Sequence, residues 1–116
     1  MPTAKSPTIA ITSIGSLVGS AILDSLEHRR TEFRIIGYNS LPEAINNFRA
    51  AVAYLVPPAS DLDGYRATLT RRIAEDRPDL VLAGRDEDIG ILSTISGGST
   101  FEGTTIVARC RGYPAR

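Results

Sequence analysis

The sequence is poor in the residues that carry most enzyme chemistry. It has one cysteine, one histidine, one methionine and no tryptophan. A lone Cys110 cannot close an internal disulfide, which excludes a disulfide-stapled scaffold and fits a reducing, cytoplasmic setting. One histidine and one cysteine cannot assemble the usual nitrogen–sulfur metal set. His28 stands among Glu27, Arg29 and Arg30, where a solvated role fits better than catalysis. Cys110 has no histidine near it in sequence, which argues against a nucleophile. Net charge is also missing, with thirteen basic side chains against thirteen acidic ones. That balance argues against nucleic acid or an anionic membrane as partner. No apolar run approaches the ~20 residues needed to span a bilayer. The opening MPTAKSP has no apolar stretch behind Lys5, so it does not read as a secretory signal. Residues 1–7 read instead as a frayed, disordered lead-in.

What is present is an ordinary globular composition, 42% hydrophobic and 22% charged over 116 residues. That is one domain with room for a core. Thr8 to Leu26 sets its pattern. Ile9-Ala10-Ile11 is a short apolar strand, and Thr12, Ser13, Gly15 and Ser16 allow a sharp turn. Leu17, Val18, Ala21, Ile22 and Leu26 then fall at helical spacing. Phe33–Gly37 reads as a second, parallel strand reached by a βαβ crossover. Ser40 and Glu43 form a capping box with Pro42 in the first turn, predicting a short helix with Leu41, Ala44, Ile45 and Phe48 inward. Ala51–Val56 is a third strand, stopped by Pro57-Pro58. A longer helix follows, capped by Ser60 or Asp61. Leu62, Tyr65, Leu69 and Ile73 make its stripe, Arg66, Arg71, Arg72, Glu75 and Asp76 face out, and Pro78 ends it. Tyr54 and Tyr65 fall on core-facing positions. Asp79–Gly84 is a covered parallel strand. A helix capped by Asp86 runs to Gly97-Gly98, with Ile89, Leu92 and Ile95 inward. Thr104–Ala108 is the fifth strand.

This alternation predicts an α/β fold: a Rossmann-like three-layer domain over residues 8–109, its parallel sheet of about five strands in the order 3-2-1-4-5. Residues 110–116 read as a tail or the start of a linker. In that order the winding reverses between the first and fourth strands. A ligand crevice opens between the loops that follow them, Ser13–Leu17 and Gly84–Asp88. The dinucleotide fingerprint fits poorly: anchored on Gly15, it meets Ser13 and Val18 where glycines belong. The second strand leads to Tyr38-Asn39, without the ribose-binding acid. No Gly-Lys-Ser/Thr is present, which excludes a phosphate-binding P-loop. In the second loop Arg85 has the fork to hold a carboxylate or phosphate. Asp86 or Glu87 can accept hydrogen bonds from an amine or hydroxyl, although acids in a helix's first turn also simply complement its dipole.

Taken in order, ITSIGSLVGSAIL, RIIGYNSLPEA and AYLVPPASDLDGYRATLTRRIAEDRPDLVLAGRDEDIGILS resemble the N-terminal, pre-ATP-grasp domain of ATP-grasp ligases. The likeness is greatest to the carbamoyl-phosphate-synthase-like and biotin-carboxylase-like members, and it covers about Thr8 to Ser93. Gly15, Gly37, Asn39, Pro42, Val56, Pro57, Pro58, Asp86 and Glu87 match positions of that pattern. Ser13, Ile14 and Ser16 stand where the family has more glycine, and Asn39 replaces a common aspartate. The resemblance implies a domain lining the non-nucleotide side of a carboxylate–amine ligase. Gly15, Ser16, Leu17, Asn39, Arg85, Asp86 and Glu87 would face a small-molecule acceptor substrate. ATP and magnesium would belong to a C-terminal ATP-grasp domain further along the polypeptide. This chain would then hold no catalytic or metal-binding residue and be inactive alone. Its partners would be that domain and, as often in the family, a second copy in a homodimer. Two other readings stay open: a stand-alone NAD(P)- or nucleotide-binding module, and a non-catalytic dimerisation module.

Overall fold

A computed structural model describes residues 6–96, 100–101 and 103–107. The expectations for residues 1–5, for Gly97-Gly98 and for the stretch from Ala108 through Cys110 to Arg116 lie outside the described residues. The strands are β1 (Thr8–Thr12), β2 (Arg34–Asn39), β3 (Val52–Leu55), β4 (Leu80–Leu82), β5 (Thr100–Phe101) and β6 (Thr104–Val107). Three helices join them: α1 (Leu17–Leu26), α2 (Leu62–Asp76) and α3 (Asp86–Ser96). The sheet order is β3-β2-β1-β4-β6-β5. The first five of these are mutually parallel, and β5 is an antiparallel edge hairpin on β6. The expected 3-2-1-4-5 parallel sheet is therefore the core of the fold. The two-residue β5 is an addition that the polar sequence before Thr104 does not announce.

Helices lie on both faces. Ile9, Ile11 and Ile35 pack with Ile14 and with Leu23 of α1. Ala10, Ile36, Tyr38, Val81 and Ile106 pack on the other face, against Tyr65, Leu69 and Ile73 of α2 and Ile91 and Leu92 of α3. The period-2 alternation of each strand thus feeds two apolar layers, and the 3.6 period of the helices meets them. Ser16 caps α1 by accepting from the Gly19 amide at 2.9 Å. Asp61, one of the two residues expected in that role, caps α2 through the Gly64 amide. Glu27–Arg29 closes α1 with a short 3₁₀ turn that leaves His28 exposed.

Several local expectations are corrected. The capping box at Ser40 does not form. Ile45–Arg49 is a 3₁₀ turn entered at Ala44 with no side-chain cap, and Leu41, Ile45 and Phe48 are exposed rather than inward. Asn46 and Asn47 turn their side-chain amides onto the Ile14, Leu41 and Pro42 carbonyls, and those bonds fix a tighter turn in place of the helix. Leu62 is exposed because it opens the first turn of α2, before the stripe reaches the sheet. Val18 and Ala21 are exposed on α1, whose buried positions are Gly19 and Leu23. Asp86 lies within the first turn of α3 rather than ahead of it.

Arg72 and Asp76 also turn inward rather than out. The Arg72 guanidinium lies 3.6 Å from the centre of the Tyr54 ring and bonds to Asp76. Asp76 in turn accepts from the Tyr38 hydroxyl at 2.8 Å. A long arginine can lie flat over an edge-strand aromatic while its head stays wetted.

Arg77 ends α2 in the left-handed region, with φ 47° and ψ 53°, and Pro78 follows. Glycine adopts this conformation without the Cβ penalty. Arg77→Gly is therefore expected to stabilise the domain by about 1 kcal/mol. Urea unfolding checks this: the midpoint rises and the slope is unchanged.

Candidate functional site

The crevice is built where the carboxyl ends of β1 and β4 diverge. After β1 the backbone reverses at Ser13, whose φ of 47° is unusual for a residue with a Cβ. The Ser16 amide closes the turn on the Ser13 carbonyl at 2.9 Å, and the Ile14 amide bonds to the Tyr38 carbonyl at 3.2 Å. Ile14 is thereby buried beneath the turn, over Gly37. A Cβ at Gly37 would stand 2.8 Å from the Ile14 Cδ1.

The two crevice loops touch directly. Ser16 donates through Oγ to the Gly84 carbonyl at 2.7 Å while capping its own helix. A Cβ at Gly84 would lie 2.2 Å from the Thr12 carbonyl oxygen and 2.7 Å from that of Ser13. The first strand's turn and the fourth strand's end thus cross with no room for a side chain.

Beneath this crossing lies Asp88, fully buried. Its Oδ2 accepts from the Thr12 hydroxyl at 2.8 Å and the Ser13 hydroxyl at 2.6 Å. Its Oδ1 accepts from the Tyr65 hydroxyl at 2.7 Å. Thr12 Oγ1 accepts in turn from the Gly84 amide at 3.3 Å. One carboxylate therefore ties β1, α2 and α3 together and satisfies the groups that the turn would otherwise bury unpaired. Sequence reading passed over it in favour of Asp86 and Glu87. The signal was available: Asp88 precedes Ile91 and Leu92 by three and four positions, which puts it on the inward face of α3.

Arg85 stands half-buried above this carboxylate. Its Nη2 is 3.5 Å from Asp88 Oδ1, and its Nη1 is 3.7 Å from Glu87 Oε2. Both distances exceed a normal charge-assisted hydrogen bond. Its Nε is buried with no hydrogen-bond partner. The guanidinium is thus held loosely between a buried and an exposed carboxylate.

The remaining candidates are distributed as follows. Gly15 and Leu17 are exposed on the rim and Ser16 is half-buried. Asn39 is buried beside Gly15, where an added Cβ would meet its Nδ2 at 2.7 Å. That Nδ2 donates to the Leu41 carbonyl and to Asn47 Oδ1, both at 3.2 Å, so its donors are committed to shaping the loop after β2. Asn46 braces the same loop against the turn, donating to the Ile14 carbonyl at 2.8 Å. Asp86 and Glu87 are exposed. The structure therefore joins Ser16 to the Arg85 loop, leaves Asp86 and Glu87 on the outer side of α3, and holds Asn39 on the far side of the turn. Among the described residues no group of three or more His, Cys, Asp or Glu side chains is placed to hold a metal ion. None of the helices among the described residues is long and apolar enough to cross a membrane.

The fold defines the class: a Rossmann-like α/β domain whose two switch-point loops lie in direct contact. No protein-family model matches the chain, and no curated protein matches it.

Asp88→Ala would leave three buried hydroxyls without an acceptor and is expected to cost about 3 kcal/mol. Asp86→Ala, at an exposed first-turn position, should cost less than about 1 kcal/mol. Urea unfolding of the two variants separates a buried hub from a surface acid. Two tyrosines add a pH dependence. Burial is the main force raising the pKa of Tyr38, helped by its bond to Asp76. Burial likewise raises that of Tyr65, opposed by the Ser13 hydroxyl and aided by Asp88. In the unfolded chain a phenol loses its proton near pH 10, whereas these two keep theirs in the fold. Stability should thus be full below about pH 10 and fall as pH rises above it. Tyr38→Phe with Tyr65→Phe should flatten that fall in unfolding curves recorded across the alkaline range.

Proposed function

We propose that this chain is the substrate-side N-terminal domain of an ATP-grasp-type carboxylate–amine ligase of the carbamoyl-phosphate-synthase-like kind. In such an enzyme the carboxylate is activated as an acyl phosphate and then attacked by an amine. The observation that carries the reading is Arg85: a half-buried guanidinium beside the two switch-point loops, paired to Asp88 and Glu87 only at 3.5 and 3.7 Å. A planar cation in that state suits the carboxylate or phosphate of an acceptor substrate. The backbone of Gly15, Ser16 and Leu17 would form the opposing wall, at the amino end of α1. Asn39 would hold that wall in place. Asp86 and Glu87 would lie at the outer margin, open to an amine. The ordered series of family-like segments from Thr8 to Ser93 is the second support. ATP and magnesium would be held by another domain, and the present residues would bind and orient the acceptor.

Two experiments test this. In the native polypeptide, Arg85→Ala should raise the KM for the acceptor roughly 10- to 100-fold while leaving that for ATP unchanged. Equal effects on both would oppose the assignment. Calorimetric titration of the present chain with NAD(H) and NADP(H) should give no binding. A clear micromolar response would favour a dinucleotide-binding module instead.

A further inference from the structure

A depression of about 650 Å³ lies at the end of the sheet where β2 and β3 begin. Arg34 opens β2 beside Thr8, the first residue of β1, and the parallel strands run from there toward the switch point. The depression is therefore a strand's length away from Arg85 and the loops around it. Its floor is apolar, made by Phe33, Ile35, Ala50 and Ala51. Arg30 and Arg34 line it as well. A cavity of that volume, apolar except for a few convergent polar groups, has the make-up of a small-molecule site.

Charge at this end is shared unevenly. Arg29 takes Glu32 at 2.9 Å. Arg49 takes Asp24 at 2.9 Å and Glu27 at 3.1 Å. Glu27, the acid that lines the depression, is thereby engaged from outside it, and Arg30 reaches it only at 3.9 Å. Arg30 donates through Nη2 to the Arg49 carbonyl, a bond that ties its guanidinium in place. Arg34 is exposed, and among the described residues it has no carboxylate partner. Two guanidinium forks thus share one cavity with a single carboxylate that is already held by a third. Such a fork pairs best with the two oxygens of a carboxylate or phosphate.

We infer that this depression binds a small organic oxyanion, a carboxylate or phosphate carried on a compact apolar body. The oxyanion lies between Arg30 and Arg34, and the apolar body lies on Phe33, Ile35, Ala50 and Ala51. Asp24, Glu27 and Glu32 keep this end of the molecule from being broadly cationic, which disfavours a polyanion. The inference goes beyond the ligase reading and stands without it, because none of its residues belongs to the switch-point loops.

The test uses the chain as it is and four probes: phenyl phosphate, benzoate, benzyl alcohol and inorganic phosphate. Phenyl phosphate or benzoate should shift the backbone amide resonances of Arg30 to Ile35 and of Ala50 and Ala51. Whichever of the two binds more tightly tells phosphate from carboxylate as the natural head group. Benzyl alcohol and inorganic phosphate, each with half of the required chemistry, should bind at least roughly tenfold more weakly. Arg34→Ala, at an exposed site, should weaken the better anion roughly tenfold. Ala51→Leu, also exposed, should weaken it by filling the floor. Arg71→Ala, on the outer side of α2, should change nothing. Four results would overturn the inference: no shift at these residues with either aromatic anion; benzyl alcohol binding as well as they do, which would be apolar contact alone; inorganic phosphate binding as well, which would be charge attraction alone; or undiminished binding in Arg34→Ala.

Discussion

One buried carboxylate organises the end of this domain where β1 and β4 finish. Asp88 accepts three hydroxyl hydrogen bonds in a place where water does not reach. Those hydroxyls belong to the end of β1, to its turn and to α2. Without the acceptor, the left-handed Ser13 has little to hold it, and the turn that presents Gly15 and Ser16 loses its floor. The glycine at position 84 completes the constraint. It lets the two loops pass in backbone contact, so that Ser16 reaches across and one side chain both caps α1 and latches β4. The geometry of the two loops follows from these contacts, and Arg85 stands over them, paired at 3.5 Å to the same carboxylate.

The fold was legible because its signals are redundant. Short β-branched runs alternate with helical spacing, and in a parallel sheet that alternation limits the arrangement to few topologies. The stripe Tyr65, Leu69 and Ile73 and the run Leu80-Val81-Leu82 each state their environment alone. The connection from β2 to β3 was not legible, because its local signals compete. Ser40, Pro42 and Glu43 favour a helix start. Asn46 and Asn47 offer their amides to backbone carbonyls instead, and those bonds fix a tighter turn. The inward turn of Arg72 and Asp76 was hidden for a different reason. A cation–ring stack depends on which strand lies underneath, and helical periodicity does not carry that.

The candidate site was legible in position more than in composition. The switch point follows from strand order, and both of its loops were identifiable beforehand. Which residues bind each other there was not. Asp86, Glu87 and Asp88 look alike as a run of acids, and only the register of α3 separates the buried one from its exposed neighbours. Asn39, which the resemblance would turn toward an acceptor substrate, ends β2 with its amide turned onto the loop that follows.

The span of the central contact has a consequence for how the crevice comes into being. Thr12 and Asp88 stand 76 positions apart. Closing so distant a pair is entropically costly until the intervening strands have docked. A chain emerging from synthesis therefore holds β1 and its turn long before the acid that organises them exists. The turn after β1 is among the last parts to take shape, and it does so only as α3 seats against the sheet. Any change that loosens α3 will be felt first at the opposite loop, around Ser13, rather than within the helix itself.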